Sequence, residues 1–307
     1  MTQSIGRDDV RTVDDPGSGP TSFHWLASNP GKRRTEIIYV IWFLVCLPIQ
    51  AIVVLNLSYD SYNDVALLTQ SIIMGVGTLV LPLVFRAPED RGLPLAQLYG
   101  FRMGIFLCIW AVLGGFIGTD PWYEVLHGHF AFNTNINPNG VPLFMLFMTI
   151  SVFALYSVIL GTLYRVITQL LGRTTGILGR DTLVRHAILC AVLAPLMPLI
   201  ETFAYTVAVP HNYCFDNGTG MWGLNVLVYG AWHFASLIFY TRWDREPGER
   251  TPLPTVLLSG FATLGILMVI MAITKTFIAP EFIEVNHGVR MLNDWSPDNC
   301  LGPKPTS

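Results

Sequence analysis

Long apolar runs separated by short polar connections dominate the chain between residues 37 and 279. A helix that crosses a bilayer needs about 20 predominantly apolar residues. Seven runs reach that length, and they predict an all-α, polytopic membrane helix bundle of about seven transmembrane helices. Their approximate limits are 37–57, 65–86, 98–118, 141–164, 184–209, 222–241 and 254–279.

The ends of the chain lack this pattern. Residues 1–30 are polar, contain Gly and Pro, and have no apolar core of the kind that a cleaved signal peptide needs. We therefore expect a disordered polar tail at 1–30, the helical bundle at 31–280 and a C-terminal tail at 281–307.

Composition supports the membrane assignment. Of the 307 residues, 52% are hydrophobic and only 13% are charged, whereas charged residues make up about a quarter of a typical soluble domain. We expect a multi-pass integral membrane protein of the endoplasmic reticulum in a eukaryotic host, or of the plasma or inner membrane in a bacterium. The net charge of -3 gives no indication of a nucleic-acid partner.

The basic residues alternate from one connection to the next. Of the 18 Lys and Arg residues, 15 precede the first run or lie in the second, fourth and sixth connections, and the other three connections contain none. Because basic loops stay cytoplasmic, this distribution predicts a cytoplasmic N-terminus and an extracytoplasmic C-terminal tail.

Glu201 is the one acidic residue inside the apolar runs. An ionisable group at that depth is costly, so it usually faces a cavity or a partner and marks function. Pro195 and Pro198 precede Glu201, and prolines bend a helix and open room beside it. Tyr205 follows one turn later on the same face. The alternative is a protonated carboxyl that only hydrogen-bonds a neighbouring helix.

The sixth run carries a polar stripe. Asn225, Tyr229 and His233 recur at every fourth position, and the short outer loop makes the fifth and sixth helices antiparallel neighbours. Glu201 is then level with the upper part of this stripe. A carboxyl, a phenol and an imidazole at one depth are suited to general acid–base chemistry. For His233, a core histidine bonded to a carbonyl remains an equal alternative.

Other polar residues are weaker candidates for the same interior. Hydroxyls in membrane helices usually bond to carbonyls of their own helix. The candidates are Gln50, which has an amide, and the hydroxyl residues Thr149, Ser151, Tyr156 and Ser157.

Motifs for cofactors are missing from the sequence. There is no P-loop, no H-E-x-x-H, no C-x-x-C and no G-x-S-x-G, and no G-x-G-x-x-G suggests a nicotinamide site. We therefore predict chemistry without a cofactor and no metal site. Two features stay open: the H-x-H pair of His127 and His129, and a disulfide between Cys214 and Cys300, which belong to the same predicted face.

Several segments resemble the cycloeucalenol cycloisomerase family, in order along nearly the whole chain. The segment WLASNPGKRRTE at 25–36 resembles the W-L-x-x-x-P-x-K-R-x-x-E entry of that family, and LIET at 199–202 is similar to its L-E-T segment. Tyr229, with Arg242 and Asp244, resembles the next helix and its R-x-D end. The segments NGVP at 139–142 and NCL at 299–301 are similar too.

The resemblance implies a membrane sterol isomerase that opens the 9β,19-cyclopropane ring of a sterol taken from the bilayer. Glu201 would be the acid, and Tyr229 and Tyr205 would orient it or relay the proton. His233 does not match a motif position of the family and is a further catalytic candidate from the polar stripe alone. The alternative is a non-enzymatic protein that binds or transports sterols or other membrane lipids; the oligomeric state is not predicted. Candidate substrate-binding residues are Trp232, Asn225, Gln50 and Trp110.

Overall fold

The computed structural model describes residues 25–55, 63–126, 128–130, 134–171, 182–208, 213–215 and 219–278. Within these ranges the chain is a bundle of helices joined by short connections. The helices are α1 (Pro30–Leu55), α2 (Asp64–Val84), α3 (Tyr99–Leu107), α4 (Gly114–Leu126), α5 (Leu143–Leu171), α6 (Leu183–Leu193), α7 (Leu196–Ala208), α8 (Thr219–Tyr240) and α9 (Leu253–Ile273).

The predicted all-α membrane architecture is confirmed. Each of the seven apolar runs coincides with helical structure, and six helical segments in the described ranges are long and apolar enough to cross a membrane. The first run lies on α1, and its last two residues fall outside the described part. The predicted C-terminal tail at 281–307 lies outside the described residues, and so do residues 1–24 of the predicted N-terminal tail at 1–30.

The third span is longer than its apolar run. α3 and α4 are joined without a break by π-helical turns at Cys108–Leu113, and helical structure continues to Leu126. π-Helical turns are rare and frequently mark functional sites. They place Trp110 at the centre of the bundle, where its side chain is fully buried.

A short ribbon that the sequence patterns do not predict joins the third and fifth connections. Strands β1 (Gly128–Phe130) and β2 (Tyr213–Phe215) are antiparallel, with His129 paired to Cys214. His127 and Cys300 lie outside the described residues, so the H-x-H pair and the disulfide stay predictions.

The fifth span is interrupted at Pro195, where the prolines predict a bend. α6 ends at Leu193 and α7 begins at Leu196, because Pro195 has no N–H and its ring excludes the carbonyl four residues earlier. α8 crosses this break closely at Gly230. A methyl group on Gly230 would lie 3.1 Å from the Cα of Pro195, so only glycine permits this approach without a shift.

Arg102 is a charged residue inside the third apolar run. Its guanidinium lies buried against the carboxylate of Asp244 and the carbonyl of Thr251. The side chains of Arg102 and Asp244 are each 2% exposed. The ion pair therefore joins the start of α3 to the segment after α8 and satisfies a charge at the end of the bundle.

Candidate functional site

Side chains from three helices form hydrogen bonds at the carboxyl of Glu201. Its Oε2 atom accepts hydrogen bonds from the hydroxyl of Tyr156 on α5, at 2.9 Å, and from the hydroxyl of Tyr229 on α8, at 3.0 Å. Glu201 itself lies on α7, six residues after Pro195. The structure thus brings together the predicted pair of Glu201 and Tyr229.

A second polar contact between α7 and α8 lies at the residue that follows Glu201. The amide of Asn225 donates to the hydroxyl of Thr202 at 2.9 Å, and both side chains are buried. Trp122 on α4 donates its indole N–H to the carbonyl oxygen of Asn225 at 3.3 Å. Asn225 therefore connects three helices and holds Glu201 and Tyr229 in register.

The two phenols act on the same carboxyl oxygen. Because Tyr156 and Tyr229 both donate to Oε2, an acid proton on Glu201 belongs on Oε1. The arrangement is that of a carboxylic acid with one oxygen held by hydrogen bonds and the other available to donate.

Glu201 and Tyr229 line an apolar cavity of about 140 Å³ between α4, α5, α8 and α9. Within the described ranges, Glu201 is the one charged side chain on its wall. The volume is below the roughly 300 Å³ from which pockets for whole small molecules start, so only part of a larger ligand would fit inside it. The remaining lining residues include Gly114, Gly118, Trp122, Met145, Thr149, Phe153, Asn225, Val228, Trp232, Leu267 and Met271.

The outer face of α7 beside this cavity is apolar. Ile200 is 52% exposed and Phe203 is 61% exposed, and Leu227 on the adjoining helix is 66% exposed. Glu201 lies between them and is itself partly exposed. In a bilayer these side chains face acyl chains, so an apolar ligand has a short path from lipid to the carboxyl.

Trp232 and Asn225 lie where substrate-binding residues are predicted, on the cavity wall. Trp232 fits closely against α4 because Gly114 has no side chain; a methyl group there would overlap the indole ring. The indole ring lies at 5.4 Å from the ring of Phe153, in an edge-to-face arrangement. These rings give the cavity an aromatic wall opposite the carboxyl-bearing helix.

His233 lies behind the site and does not line the cavity. Its ring is fully buried, 4.8 Å from the ring of Tyr229 and 5.2 Å from that of Trp110. Neither ring nitrogen has a hydrogen-bond partner in the described part of the chain. His233 therefore packs against the rings of both tyrosines of the site, with that of Tyr156 at 5.7 Å, and its ring forms no hydrogen bond with Glu201.

Two other predicted residues lie away from the cavity, and one cannot be placed. Trp110 supports the site from behind, with its ring 4.6 Å from that of Phe153. Gln50 donates to the sulfur of Met74 at 2.9 Å and joins α1 to α2. The side chain of Tyr205 lies outside the described residues, so its predicted role stays a prediction.

Tyr156 belongs to the site, although the sequence patterns make it only a weak candidate. As one of several hydroxyls in the fourth run, it ranks low among the candidates there. Thr149, Phe153 and Tyr156 follow one another at intervals of four and three, which puts them on one helix face. Thr149 and Phe153 line the cavity, so this spacing is the signal that identifies Tyr156.

Comparisons with known proteins give one distant relative. The chain is 22% identical over 260 residues to the cycloeucalenol cycloisomerase of Arabidopsis thaliana, an alignment that covers 83% of this chain and 90% of the relative. No family model matches the chain, and no solved structure matches it.

Proposed function

We propose that this protein is a membrane sterol isomerase that opens the 9β,19-cyclopropane ring of a sterol, with Glu201 as the proton donor. The observation that carries the proposal is the carboxyl of Glu201, held by two phenols at the wall of an apolar cavity. The similarity to a cycloeucalenol cycloisomerase along most of both chains supports the same reaction class.

The reaction needs an acid and a base but no change in oxidation state. Glu201 donates its proton to the cyclopropane methylene at C19. The C9–C19 bond breaks, its electron pair forms the new C–H bond of the angular methyl group, and a tertiary cation is left at C9. Loss of the proton from C8 then gives the 8,9 double bond.

The carboxylate that remains after proton donation also fits the role of base. Within the described ranges, no other ionisable carboxylate, imidazole or amine lines the cavity. Glu201 would therefore recover a proton from C8 and return to its acid form, so that the carboxyl ends the reaction as it began. The hydrogen bonds from Tyr156 and Tyr229 stabilise the carboxylate between the two steps.

The aromatic wall suits the cationic intermediate. A cation within about 6 Å of an indole or phenyl face is stabilised by the ring quadrupole. Trp232 and Phe153 both line the cavity, so they are the rings that we assign to this role. The rest of the sterol would remain between α7, α8 and the surrounding lipid.

The test is conversion of a defined substrate. Membranes from a host that makes no sterols, with and without this protein, are incubated with cycloeucalenol, and the sterols are extracted and separated by gas chromatography with mass detection. The proposal expects an 8-ene product only where the protein is present. Sterol that is bound but recovered unchanged would favour the alternative of a sterol-binding or transport protein.

A further inference from the structure

A second cavity, of about 200 Å³, lies at the end of the bundle where α1 begins and α8 ends. Its walls come from α1, α3, α5 and the segment after α8, and it shares no lining residue with the cavity at Glu201. Along α8, Tyr240 on its wall is 11 residues from Tyr229, or about 16 Å at 1.5 Å per residue. The two cavities are therefore separate sites.

The charged groups on the wall of this second cavity are already paired. Glu36 forms an ion pair with Arg165 through two contacts of 2.8 and 2.9 Å. The ammonium of Lys32 donates to the carbonyl oxygens of Trp243 at 2.6 Å and Tyr240 at 3.3 Å, and Asp244 is bound by Arg102. The two buried carboxylates of the wall are therefore held in ion pairs, and the ammonium of Lys32 is held by backbone carbonyls.

Three buried hydroxyls on the same wall are left without a hydrogen bond in the described part of the chain. They belong to Tyr39, Tyr240 and Thr168. Tyr39 is 3% exposed and Tyr240 is 2% exposed. A buried polar group without a partner is unfavourable, and in native structures such groups indicate a ligand or ordered water. A hydroxyl both donates and accepts, so its best complement is another hydroxyl.

The mouth of the cavity lies at the level of the helix ends. Ser28, Arg245 and Glu246 line it and are exposed. Beside them the indole of Trp25 is 60% exposed, and Arg165 binds the carbonyl of Trp25 at 3.2 Å. Exposed Trp side chains and basic residues are typical of the interface between membrane and water. A lipid's polar end is at this depth, whereas its acyl chains are not.

We propose that this second cavity binds the uncharged hydroxyl end of a membrane lipid, with Tyr39 and Tyr240 as its hydrogen-bonding residues. A sterol and a diacylglycerol both present such a hydroxyl on an apolar body. The aromatic side chains of Tyr99 and Tyr164 on the wall would contact the part of the body next to the hydroxyl. The site does not depend on the isomerase reaction proposed above.

The test measures binding by purified protein in nanodiscs, with radiolabelled cholesterol and dioleoylglycerol as separate probes. Cholesterol has no cyclopropane ring, so the proposed reaction does not consume it. Wild-type protein should bind at least one of the two probes, and which one identifies the source of the hydroxyl. Cholesterol methyl ether keeps the sterol body and removes the donor, so it should bind more weakly than cholesterol if the sterol is the ligand.

The variants separate this site from the other cavity. Replacing both Tyr39 and Tyr240 with Phe should weaken binding of the preferred probe about tenfold, whereas Glu201→Gln should leave that binding unchanged. If the double variant does not fold, Tyr240→Phe alone is compared in the same assay. Photolabelling with a diazirine analogue of the preferred probe should modify peptides that contain Tyr39 or Tyr240.

Three results would overturn the proposal. The first is equal binding by wild-type protein and the Tyr→Phe variants, and the second is failure of both neutral probes to bind. The third is stronger binding of phosphatidate than of either neutral lipid, which would indicate an anion site. None of these results bears on conversion at Glu201, so the two proposals fail independently.

Discussion

The hydroxyl of Tyr229 donates to Oε2 of Glu201 at 3.0 Å, across the contact between α7 and α8. The contact exists because Pro195 breaks the fifth span and Gly230 lets α8 approach the break. An acid with one oxygen held in this way presents the other oxygen in a fixed direction. The expected effects of several variants on turnover depend on this hydrogen bond.

Tyr229→Phe should lower turnover of a cyclopropyl sterol about tenfold with little change in KM. A hydrogen bond to a charged group contributes roughly 1.5–3 kcal/mol, and about 1.4 kcal/mol corresponds to a factor of ten in rate. Tyr156→Phe should lower turnover to a similar extent, because the hydroxyl of Tyr156 donates to the same oxygen. Steady-state kinetics in proteoliposomes measure both variants, and unchanged turnover in both would contradict the assigned role.

Gly114→Ala should impair the site without unfolding the bundle. The added methyl group overlaps the indole ring of Trp232, so the ring must move into the cavity and reduce the space for a ligand. We expect a several-fold rise in KM. Gly265→Ala is the matched control, because a methyl group there meets no atom within 4 Å. Equal KM values for the two variants would show that the position of Trp232 does not matter.

His233→Phe should retain both turnover and thermal stability. The imidazole has no hydrogen-bond partner among the described residues and is surrounded by rings, so phenylalanine keeps the packing and removes two buried polar atoms. Conversion assays and melting in detergent measure the two properties. A loss of turnover greater than about tenfold, with normal melting, would restore the catalytic role that the polar stripe predicts.

Much of this arrangement can be predicted from the sequence, and there are physical reasons why the remaining contacts cannot. The apolar runs locate the helices, and Pro195 locates the break, because both depend on local composition. The partner of Arg102 is 142 residues away, so no local pattern pairs it with Asp244. Gln50 looks like an interior residue but binds Met74, since a polar side chain does not reveal which neighbouring helix it faces.

The buried ion pair between Arg102 and Asp244 predicts a large effect on stability. Removing one charge of a buried pair leaves the other unpaired, at a cost of about 3–5 kcal/mol. Asp244→Asn should therefore lower the melting temperature of the purified protein strongly. Arg242→Gln changes an exposed residue of the same segment and should leave melting unchanged. Similar melting of both variants would mean that the pair does not stabilise the fold.

Lys32 predicts how stability depends on pH. It lies before the apolar part of α1, where burial lowers its pKa from 10.5 to about 8 while Glu36 acts in the opposite direction. Between these two values the unfolded chain binds the proton and the folded chain does not, so the free energy of unfolding rises with pH. Melting in detergent across this window should show the rise in wild-type protein and its absence in Lys32→Met. Identical slopes would contradict the shifted pKa.

Glu201→Gln removes the proton that the proposed ring opening of a 9β,19-cyclopropyl sterol requires. The variant keeps the shape of the side chain and an oxygen for the two phenols, but it has no acid proton. Glu89→Gln makes the same change at an exposed position and serves as the control. We expect the control to yield the 8-ene sterol at the wild-type rate and Glu201→Gln, folded and present at the same level, to return the substrate unchanged. Conversion by Glu201→Gln at the wild-type rate would contradict the account.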